Sequence, residues 1–357
     1  MNIIHIITTI DRGGAENQLI QNLLFQSKKG LNVSVLFLKG NGYWRDYLTK
    51  KKIKVYGPFF KKLYYFNPIS IFFFFRRIFI TNGIIHCHMP PSLLMTTLIS
   101  VFFINKKIIY TSHNDEPFLP VRFLDAILSK YILKKPEKII SITPTVKNYL
   151  IKKYCVNPRK IKIIDYSFDP NIYKNKIVSK DEFNFYKTNK TYIGTVARLV
   201  HQKRIDILLK AFREINLKDN NIYLVILGRG EKKNDLVNHS KKLNIYENII
   251  WIDYSENVIE HMKKWSVFCL TSEYEGFGLV LLEAIYAKLP IVAMDVSSIK
   301  EIVGKSGKIV SFGDFTHFSQ EILHVKTNRQ KYINQGYINQ FSPDKNFEKH
   351  LSVYKSI

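Results

Sequence analysis

Two glutamates in the stretch SEYEGFGLVLLEAIYAKLP (residues 272–290) have the spacing that most strongly suggests chemistry. Glu275 and Glu283 lie on either side of a turn formed by Gly276, Phe277 and Gly278. Eight residues of a continuous helix rise about 12 Å, whereas the paired carboxylates of glycosidases lie roughly 5–9.5 Å apart. Because the glycines also interrupt the helix, only Glu283 is expected to lie on it. The spacing therefore disfavours a hydrolytic acid–base pair.

The same spacing fits two carboxylates that bind opposite ends of one elongated ligand. The helix is predicted to begin near Gly278 or Leu279, and the free amide groups at a helix start attract anions. An anionic group would then lie between Glu275 and Glu283. The alternative is structural, with Glu275 capping the helix and Glu283 exposed to solvent. The spacing alone leaves both interpretations open.

Further residues with suitable chemistry follow other predicted strands. Arg198 and Lys203 follow the strand in YIGTVARL, Gly228 ends the strand in IYLVILG, and His113 follows the strand in KIIYTSH. Each of these residues also has an ordinary interpretation, as an exposed cation, a tight turn or a structural histidine.

A glycine pair, Gly13 and Gly14, follows the first predicted strand and precedes a helix. We expect these glycines to let the chain turn sharply and to bring amide groups toward a phosphate at the helix start. Glu16 is expected in the first helical turn. An ordinary strand–helix turn is the alternative.

The elements that position these residues are short Ile- and Val-rich runs alternating with longer segments of helical period. This pattern is typical of parallel sheets covered by helices on both faces, and it indicates five strands in each half. The predicted fold class is α/β, with two Rossmann-like domains at residues 1–165 and 170–335 and a closing helix at 340–357. Ligands of such sheets bind at the carboxyl ends of the strands, here in the cleft that the two domains are expected to form.

The net charge of +25 is concentrated in the N-terminal half. Residues 1–165 contain 26 Lys and Arg against 8 Asp and Glu, so this half is expected to meet an anionic surface. Nucleic acid is disfavoured as the partner, because no nucleic-acid module appears and the aromatic residues lie in apolar runs.

An aromatic and basic segment, FFKKLYYFNPISIFFFFRRIFITNG (residues 59–83), lies within that half. Much of it is expected to be a core helix, but its four consecutive phenylalanines cover a full helical turn, so at least one should face solvent. Its cations are Lys61, Lys62, Arg76 and Arg77. The segment predicts contact with an anionic membrane surface or a lipid pyrophosphate.

Cysteine usage and the first residues indicate the compartment. The three cysteines lack the spacing of a metal site or a disulfide framework. The first residues lack the features of a signal peptide, and no apolar run approaches the roughly 20 residues that span a bilayer. These features predict a cytoplasmic protein, peripheral on the inner face of the cytoplasmic membrane.

A family resemblance is carried by the motif around the two glutamates. EGFGLVLLE resembles the E-x7-E motif of the retaining GT-B glycosyltransferases of family 4, and EAIYAKLPIVAMDVSSIKEIVG continues the likeness. Upstream, IGTVARLVHQKRIDILLKAF resembles the segment that opens the C-terminal domain of that family. The resemblance spans nearly the whole chain but is strong only in residues 191–304.

The resemblance implies roles for the residues identified above. Arg198 and Lys203 would hold the nucleotide diphosphate, Glu283 the ribose and Glu275 the transferred sugar, while His113 would approach that sugar. One departure is Arg204, where many relatives have glycine. The remaining donor-binding residues implied are Gly13, Gly14, Gly228, Gly276, Phe277, Gly278 and Leu279.

The implied chemistry needs no cofactor and no metal. The chain has no DxD motif, which the other large glycosyltransferase architecture uses to hold a divalent ion on the diphosphate; here the cations and the helix amides would do so. The nucleotide sugar is the substrate, with UDP favoured over GDP.

The function implied is hexosyl or N-acetylhexosaminyl transfer with retention at the anomeric carbon. The expected acceptor is a lipid-linked glycan of bacterial surface polysaccharide synthesis, such as O-antigen, capsule or lipopolysaccharide. Two alternatives stay open: a nucleotide-sugar epimerase of the same fold, and a non-catalytic glycan-binding protein at the membrane surface. E-x7-E argues against the epimerase.

Overall fold

The computed structural model describes residues 1–11, 13–60, 68–80, 82–102, 106–115, 117–118, 122–173, 180–334 and 336–357. The chain divides into two compact units. The N-terminal unit comprises Met1–Ser167 and Phe341–Ile357, and the C-terminal unit comprises Phe168–Gln340. The C-terminal helix thus belongs to the N-terminal unit.

The N-terminal unit is a parallel sheet with helices. Within the described ranges its strands follow the order β3-β2-β1-β4-β5-β6-β7. They are β1 (Asn2–Ile7), β2 (Asn32–Phe37), β3 (Lys54–Tyr56), β4 (Ile84–His88), β5 (Ile108–Ser112), β6 (Lys138–Ser141) and β7 (Ile161–Ile163). Its helices are α1 (Gly14–Lys28), α2 (Arg45–Lys50), α3 (Pro68–Phe79), α4 (Pro90–Ile99), α5 (Arg122–Ile132), α6 (Pro144–Tyr154) and, near the end of the chain, α13 (Pro343–Lys355).

The C-terminal unit repeats this architecture. Its strands, all parallel, follow the order β10-β9-β8-β11-β12-β13 in the part of the unit that is described. They are β8 (Thr191–Val196), β9 (Ile222–Leu227), β10 (Ile249–Ile252), β11 (Val267–Leu270), β12 (Ile291–Met294) and β13 (Gly307–Val310). Its helices are α7 (Ile205–Lys218), α8 (Lys233–Lys242), α9 (Val258–Lys263), α10 (Leu279–Tyr286), α11 (Ile299–Val303) and α12 (Phe315–Thr327).

The central strands explain why the predicted fold class is confirmed. Every residue of β4, β5, β11 and β12 is buried, as expected for strands with both faces covered. The α/β class with two parallel-sheet, Rossmann-like units is therefore correct. The prediction missed β3, β7 and β13, which are short edge strands. Most of their residues are not fully buried, so they lack the continuous apolar run of a central strand.

No helix in the described ranges is long and apolar enough to cross a bilayer.

Candidate functional site

The candidate site of the C-terminal unit lies at the carboxyl ends of three neighbouring strands. The strands β9, β8 and β11 are adjacent in the sheet, and they lead to Gly228, Arg198 and Glu275 respectively. Main-chain hydrogen bonds join the loops after β8 and β11: the amide of Glu273 donates to the carbonyl of Gln202 over 2.8 Å. The parallel sheet thus brings together residues that are far apart in sequence.

Lys203 and Glu275 form a nearly buried ion pair in this site. The Lys203 ammonium lies 2.6 Å from Glu275 Oε1, and the two side chains are 15% and 10% exposed. Ser272 also donates to the same carboxylate oxygen over 2.7 Å. Glu275 is therefore held in one orientation by two donors, and the structural alternative that it caps the helix is not what the side chain does.

Arg198 is exposed in the loop after β8, the loop that also contains Lys203. Among the described residues its guanidinium has no hydrogen-bond or ion-pair partner, although its main-chain carbonyl accepts from Val200. A guanidinium left in solvent at the ends of the strands is suited to bind two oxygens of a phosphate with its planar fork of N–H donors. The resemblance gives Arg198 and Lys203 the same role, but their environments differ. Lys203 is paired with Glu275, whereas the Arg198 guanidinium has no partner in the described part of the chain.

Gly228 is required by the protein backbone itself. Its φ is +152°, and a Cβ at this position would lie 1.8 Å from the carbonyl oxygen of Ala197. A Cβ at the next glycine of the turn, Gly230, would lie 2.2 Å from the carbonyl oxygen of Leu199. The glycines thus let the loop after β9 pack against the loop that carries Arg198. Whether Gly228 also contacts a donor stays a prediction.

The loop that precedes α10 has a left-handed turn at Gly278. Its φ is +74°, and a Cβ there would lie 3.1 Å from Leu281 and 3.3 Å from Ile299, so glycine suits the position for both conformation and space. The helix begins at Leu279, as predicted. Phe277 is only 2% exposed, so its ring anchors the loop, and contact of the loop with a donor stays a prediction. Ser298 donates to the carbonyl of Gly276 over 2.8 Å.

Glu283 lies one turn into α10 and is partly buried. Its Oε1 accepts a hydrogen bond from the Tyr173 hydroxyl over 2.5 Å. Burial and the charge of Glu283 raise the pKa of the Tyr173 phenol, which therefore stays a donor. No sequence pattern indicates Tyr173, because it lies 110 positions from Glu283. The interpretation of Glu283 as a solvated helix residue is wrong, because its side chain is partly buried and hydrogen bonded.

Arg204 occupies a position where many relatives have glycine. Its backbone has a left-handed conformation, which glycine adopts without strain. Its φ is +45° and its ψ is +44°, in the left-handed region. Its guanidinium forms two hydrogen bonds of 3.0 Å with Asp206, so the added charge is balanced locally. Arg204 therefore retains the backbone shape that glycine supplies elsewhere.

His113 follows β5 in the N-terminal unit, at the strand end where it was predicted. Its ring is 7% exposed, and both ring nitrogens are hydrogen bonded: Nδ1 to the Tyr166 hydroxyl over 2.5 Å and Nε2 to His88 over 3.0 Å. Burial lowers the pKa of His113 to about 3. The side chain is therefore neutral, and its approach to a donor sugar stays a prediction.

The Gly13–Gly14 pair lies at the start of α1, and the approach of its amide groups to a phosphate stays a prediction. Gly13 has extended backbone with φ −163°, and neither glycine has positive φ. A Cβ at Gly14 would meet nothing within 4 Å, whereas a Cβ at Gly13 would lie 2.2 Å from Glu16 Oε2. Gly13 therefore leaves room for the Glu16 side chain, and the space around Gly14 does not require glycine. Glu16 lies in the first turn, as predicted.

A solvent-facing apolar surface lies on α3 and its neighbours in the N-terminal unit. Phe72 and Phe73 are exposed while Phe74 is fully buried, which confirms that the phenylalanine run cannot be wholly internal. We call the following set the aromatic surface: Ile69, Phe72, Phe73, Phe79, Ile80, Leu98 and Phe102. Phe75 joins two of its elements, because its ring lies 5.6 Å from that of Phe102.

Cations flank the aromatic surface. Arg76 is exposed on α3, and the Lys106 ammonium donates to the carbonyl of Phe79 over 3.2 Å. The guanidinium of Arg77 instead stacks on Tyr56, 3.5 Å from the ring centroid. Lys61 and Lys62 lie outside the described residues.

Two family models together match most of the chain. The model described as Glycosyltransferase Family 4 matches residues 12–171, and the model described as Glycosyl transferases group 1 matches residues 178–340. These matches and the two-unit fold define the class, a glycosyltransferase with the GT-B fold. Within that class the chain belongs to glycosyltransferase family 4, as its motifs indicated.

Individual relatives are distant. An uncharacterized glycosyltransferase of Haemophilus influenzae is 27% identical over 300 residues, which cover 82% of this chain and 80% of that protein. The O-antigen biosynthesis glycosyltransferase WclY of Escherichia coli is 25% identical over 228 residues, or 62% of each chain. The chain spans only about half the length of other curated relatives, 51% and 54% in two cases.

Among solved structures, HepE of Anabaena in complex with UDP has a TM-score of 0.85. The two chains are 17% identical, and the comparison covers 100% of both. This likeness supports the fold.

Proposed function

We propose that this glycosyltransferase moves a sugar from a UDP-sugar to a lipid-linked glycan in bacterial surface polysaccharide synthesis, with retention at the anomeric carbon. The observation that carries the proposal is the Lys203–Glu275 pair at the strand ends. The exposed guanidinium of Arg198, in the loop after the neighbouring strand end, has no partner among the described residues. HepE, which was solved with UDP, supports the donor. WclY, which is named for O-antigen biosynthesis, supports the class of acceptor.

The chemistry assigns Arg198 and Lys203 to the leaving diphosphate. Breaking the bond between the anomeric carbon and the phosphate oxygen increases the negative charge on the diphosphate. Fixed cations stabilise that charge more in the transition state than in the ground state. The amides at the start of α10 lie in the same loop system and add partial positive charge.

Glu275 and Glu283 then hold the two ends of the donor. Glu275 accepts hydrogen bonds from hydroxyls of the transferred sugar, and Glu283, oriented by Tyr173, accepts from the ribose. The acceptor hydroxyl attacks the anomeric carbon of the donor sugar on the same face from which the diphosphate leaves. A phosphate oxygen of the leaving group takes the hydroxyl proton, so no protein nucleophile and no metal enters this scheme.

Donor turnover tests the proposal. The purified chain is incubated with a membrane-lipid extract and a panel of UDP- and GDP-sugars, and nucleotide release and sugar transfer are measured. We expect extract-dependent release of UDP from one sugar, and a product with the anomeric configuration of the donor. Conversion of the donor to its epimer without an acceptor would indicate the epimerase. Binding without release from any donor would leave only the glycan-binding alternative.

The aromatic surface supports a second part of the proposal, peripheral attachment to an anionic membrane. Soluble proteins rarely expose large contiguous apolar patches without an interaction, and here the apolar side chains occur in the strongly basic half of the chain. Each cation near an anionic bilayer contributes about 1 kcal/mol. Attachment would place the enzyme beside a lipid-linked acceptor.

The double variant Phe72→Ser, Phe73→Ser should bind membranes poorly. Both side chains face solvent, so folding should be unaffected, while each phenylalanine withdrawn from the bilayer interface weakens partitioning by roughly tenfold. The measurement is co-sedimentation with vesicles that contain phosphatidylglycerol. Leu217→Ser, at an exposed leucine of the C-terminal unit, is the matched control. Equal binding by the double variant and the wild type, or indifference of binding to salt, would contradict this attachment.

A further inference from the structure

Four buried histidines of the N-terminal unit form one hydrogen-bonded chain. From Tyr166 the chain passes to His113, to His88 over 3.0 Å and to His5 over 2.9 Å. His5 is bonded to Gln26 over 3.0 Å, and Gln26 to Tyr354 over 3.3 Å. Tyr354 is bonded to His86 over 2.9 Å, and His86 to Thr111 over 2.7 Å. The chain therefore connects the end of β5 with α1 and the C-terminal helix α13.

All four imidazoles are neutral, because burial lowers their pKa values. The pKa is about 3 for both His5 and His113, and it lies well below the usual value for His86 and His88. A neutral imidazole carries one N–H and one bare nitrogen. Each ring in the chain must therefore donate one hydrogen bond and accept the other.

Because of this requirement, the hydrogen bonds from Tyr166 to Gln26 all run in the same donor-to-acceptor direction. The Gln26 oxygen faces His5 and therefore accepts from His5 Nε2–H. The bare Nδ1 of His5 then accepts from His88 Nε2–H, the bare Nδ1 of His88 accepts from His113 Nε2–H, and His113 Nδ1 accepts from Tyr166. On the other side, the Gln26 amide donates to Tyr354, whose hydroxyl donates to His86.

The opposite direction is also self-consistent, and the orientation of Gln26 selects between them. If the amide were turned over, its N–H would donate to His5, and every histidine would carry its proton on Nδ1 instead of Nε2. His113 would then donate to Tyr166 rather than accept from it. Within this hydrogen-bonded chain, Gln26 has its donor on the amide nitrogen and its acceptor on the amide oxygen, and these two roles cannot be exchanged without turning the amide over.

A bound metal would be another explanation of the histidine cluster. One ring nitrogen from each of His5, His86 and His88 lies within 4.8 Å of the others. However, all six of their nitrogens already have hydrogen-bond partners, so an ion could bind only by breaking several of these bonds. The hydrogen-bond chain accounts for every nitrogen without that cost.

We propose that Gln26 is a positioning residue that sets the tautomer of His113 through His5 and His88. The tautomer decides whether His113 accepts a hydrogen bond from the Tyr166 hydroxyl or donates one to it. The consequence for catalysis rests on the proposed function, in which His113 lies near the donor sugar. The tautomer itself does not depend on that function and can be observed without a substrate.

The test is nitrogen NMR of the full chain labelled with ¹⁵N-histidine, which distinguishes Nε2–H from Nδ1–H. In the wild type we expect His5, His88, His113 and His86 all to carry Nε2–H. Gln26→Leu removes both the donor and the acceptor, and His113 should lose its single tautomer although two imidazoles separate it from the substitution. A purely structural role of Gln26 would change the signals of His5 and leave those of His113 as they are.

Gln26→Glu gives a sharper result, because a carboxylate can accept hydrogen bonds from both of its neighbours, His5 and Tyr354. His5, His88 and His113 should keep Nε2–H, whereas Tyr354 now donates to the carboxylate and His86 should reverse to Nδ1–H. Gln18→Leu is the matched control, since Gln18 is also buried on α1 but contacts Asn22 and Ser167; all four tautomers should stay unchanged.

Two results would overturn the proposal even if the variants fail to fold. One is a wild-type spectrum in which His5, His88 and His113 do not share one tautomer. The other is stoichiometric binding of added Zn²⁺ with shifts of His5, His86 and His88. In contrast, altered tautomers in Gln26→Leu with an unchanged rate of sugar transfer would remove His113 from the proposed function and leave the positioning role of Gln26 intact.

Discussion

Arg198→Ala should lose turnover by roughly 100- to 1,000-fold, the range seen when one donor that stabilises a developing anion is removed. The guanidinium is exposed and has no polar partner among the described residues, so its removal leaves no buried group unpaired. We therefore expect an unchanged melting temperature. Binding of UDP should weaken as well, because the diphosphate loses one of its two cations.

The measurement combines steady-state turnover, UDP titration and thermal unfolding. Arg213→Ala is the matched control, since Arg213 is an exposed arginine on α7 of the same unit, away from the strand ends. Its turnover and UDP affinity should equal those of the wild type. If Arg198→Ala retained both properties, Arg198 would not contact the diphosphate. Arg198→Lys should recover part of the activity, because it restores the charge without the planar fork.

Sequence patterns predicted the candidate site best where its residues are close in sequence. Glu275, the Gly276–Gly278 turn and the start of α10 occur within one short motif, and the structure has them in the expected elements. The spacing could not show which side chains pair across the sheet. The contact of Lys203 with Glu275 and that of Tyr173 with Glu283 depend on tertiary packing.

The histidines illustrate the same limit in the N-terminal unit. His86 and His88 lie on β4 and His113 directly follows the neighbouring strand β5, so their proximity follows from the parallel sheet once the strand order is known. Gln26 and Tyr354 come from α1 and α13, and polar residues on a helix give no sequence signal that they will be buried against a sheet. Their role appears only in the hydrogen bonds.

Glu275→Gln should separate sugar positioning from nucleotide binding. Glutamine keeps the shape of the side chain and can still accept from Ser272, but it removes the negative charge. Hydrogen bonds to a charged group contribute about 1.5–3 kcal/mol, so turnover should fall roughly 10- to 100-fold. UDP binding should stay the same or tighten, because the Lys203 ammonium no longer pairs with a carboxylate and is available to the diphosphate.

This divergence between turnover and UDP affinity is the result that distinguishes a functional carboxylate from a structural one. If Glu275 served only to neutralise Lys203 in the fold, the variant would lose thermal stability, and UDP affinity and turnover would fall together. Glu273→Gln is the matched control: Glu273 belongs to the same loop, but its side chain is 42% exposed and lies 3.6 Å from His201. Wild-type turnover in both variants would remove Glu275 from the sugar site, and the Lys203–Glu275 pair would then be part of the scaffold around Arg198.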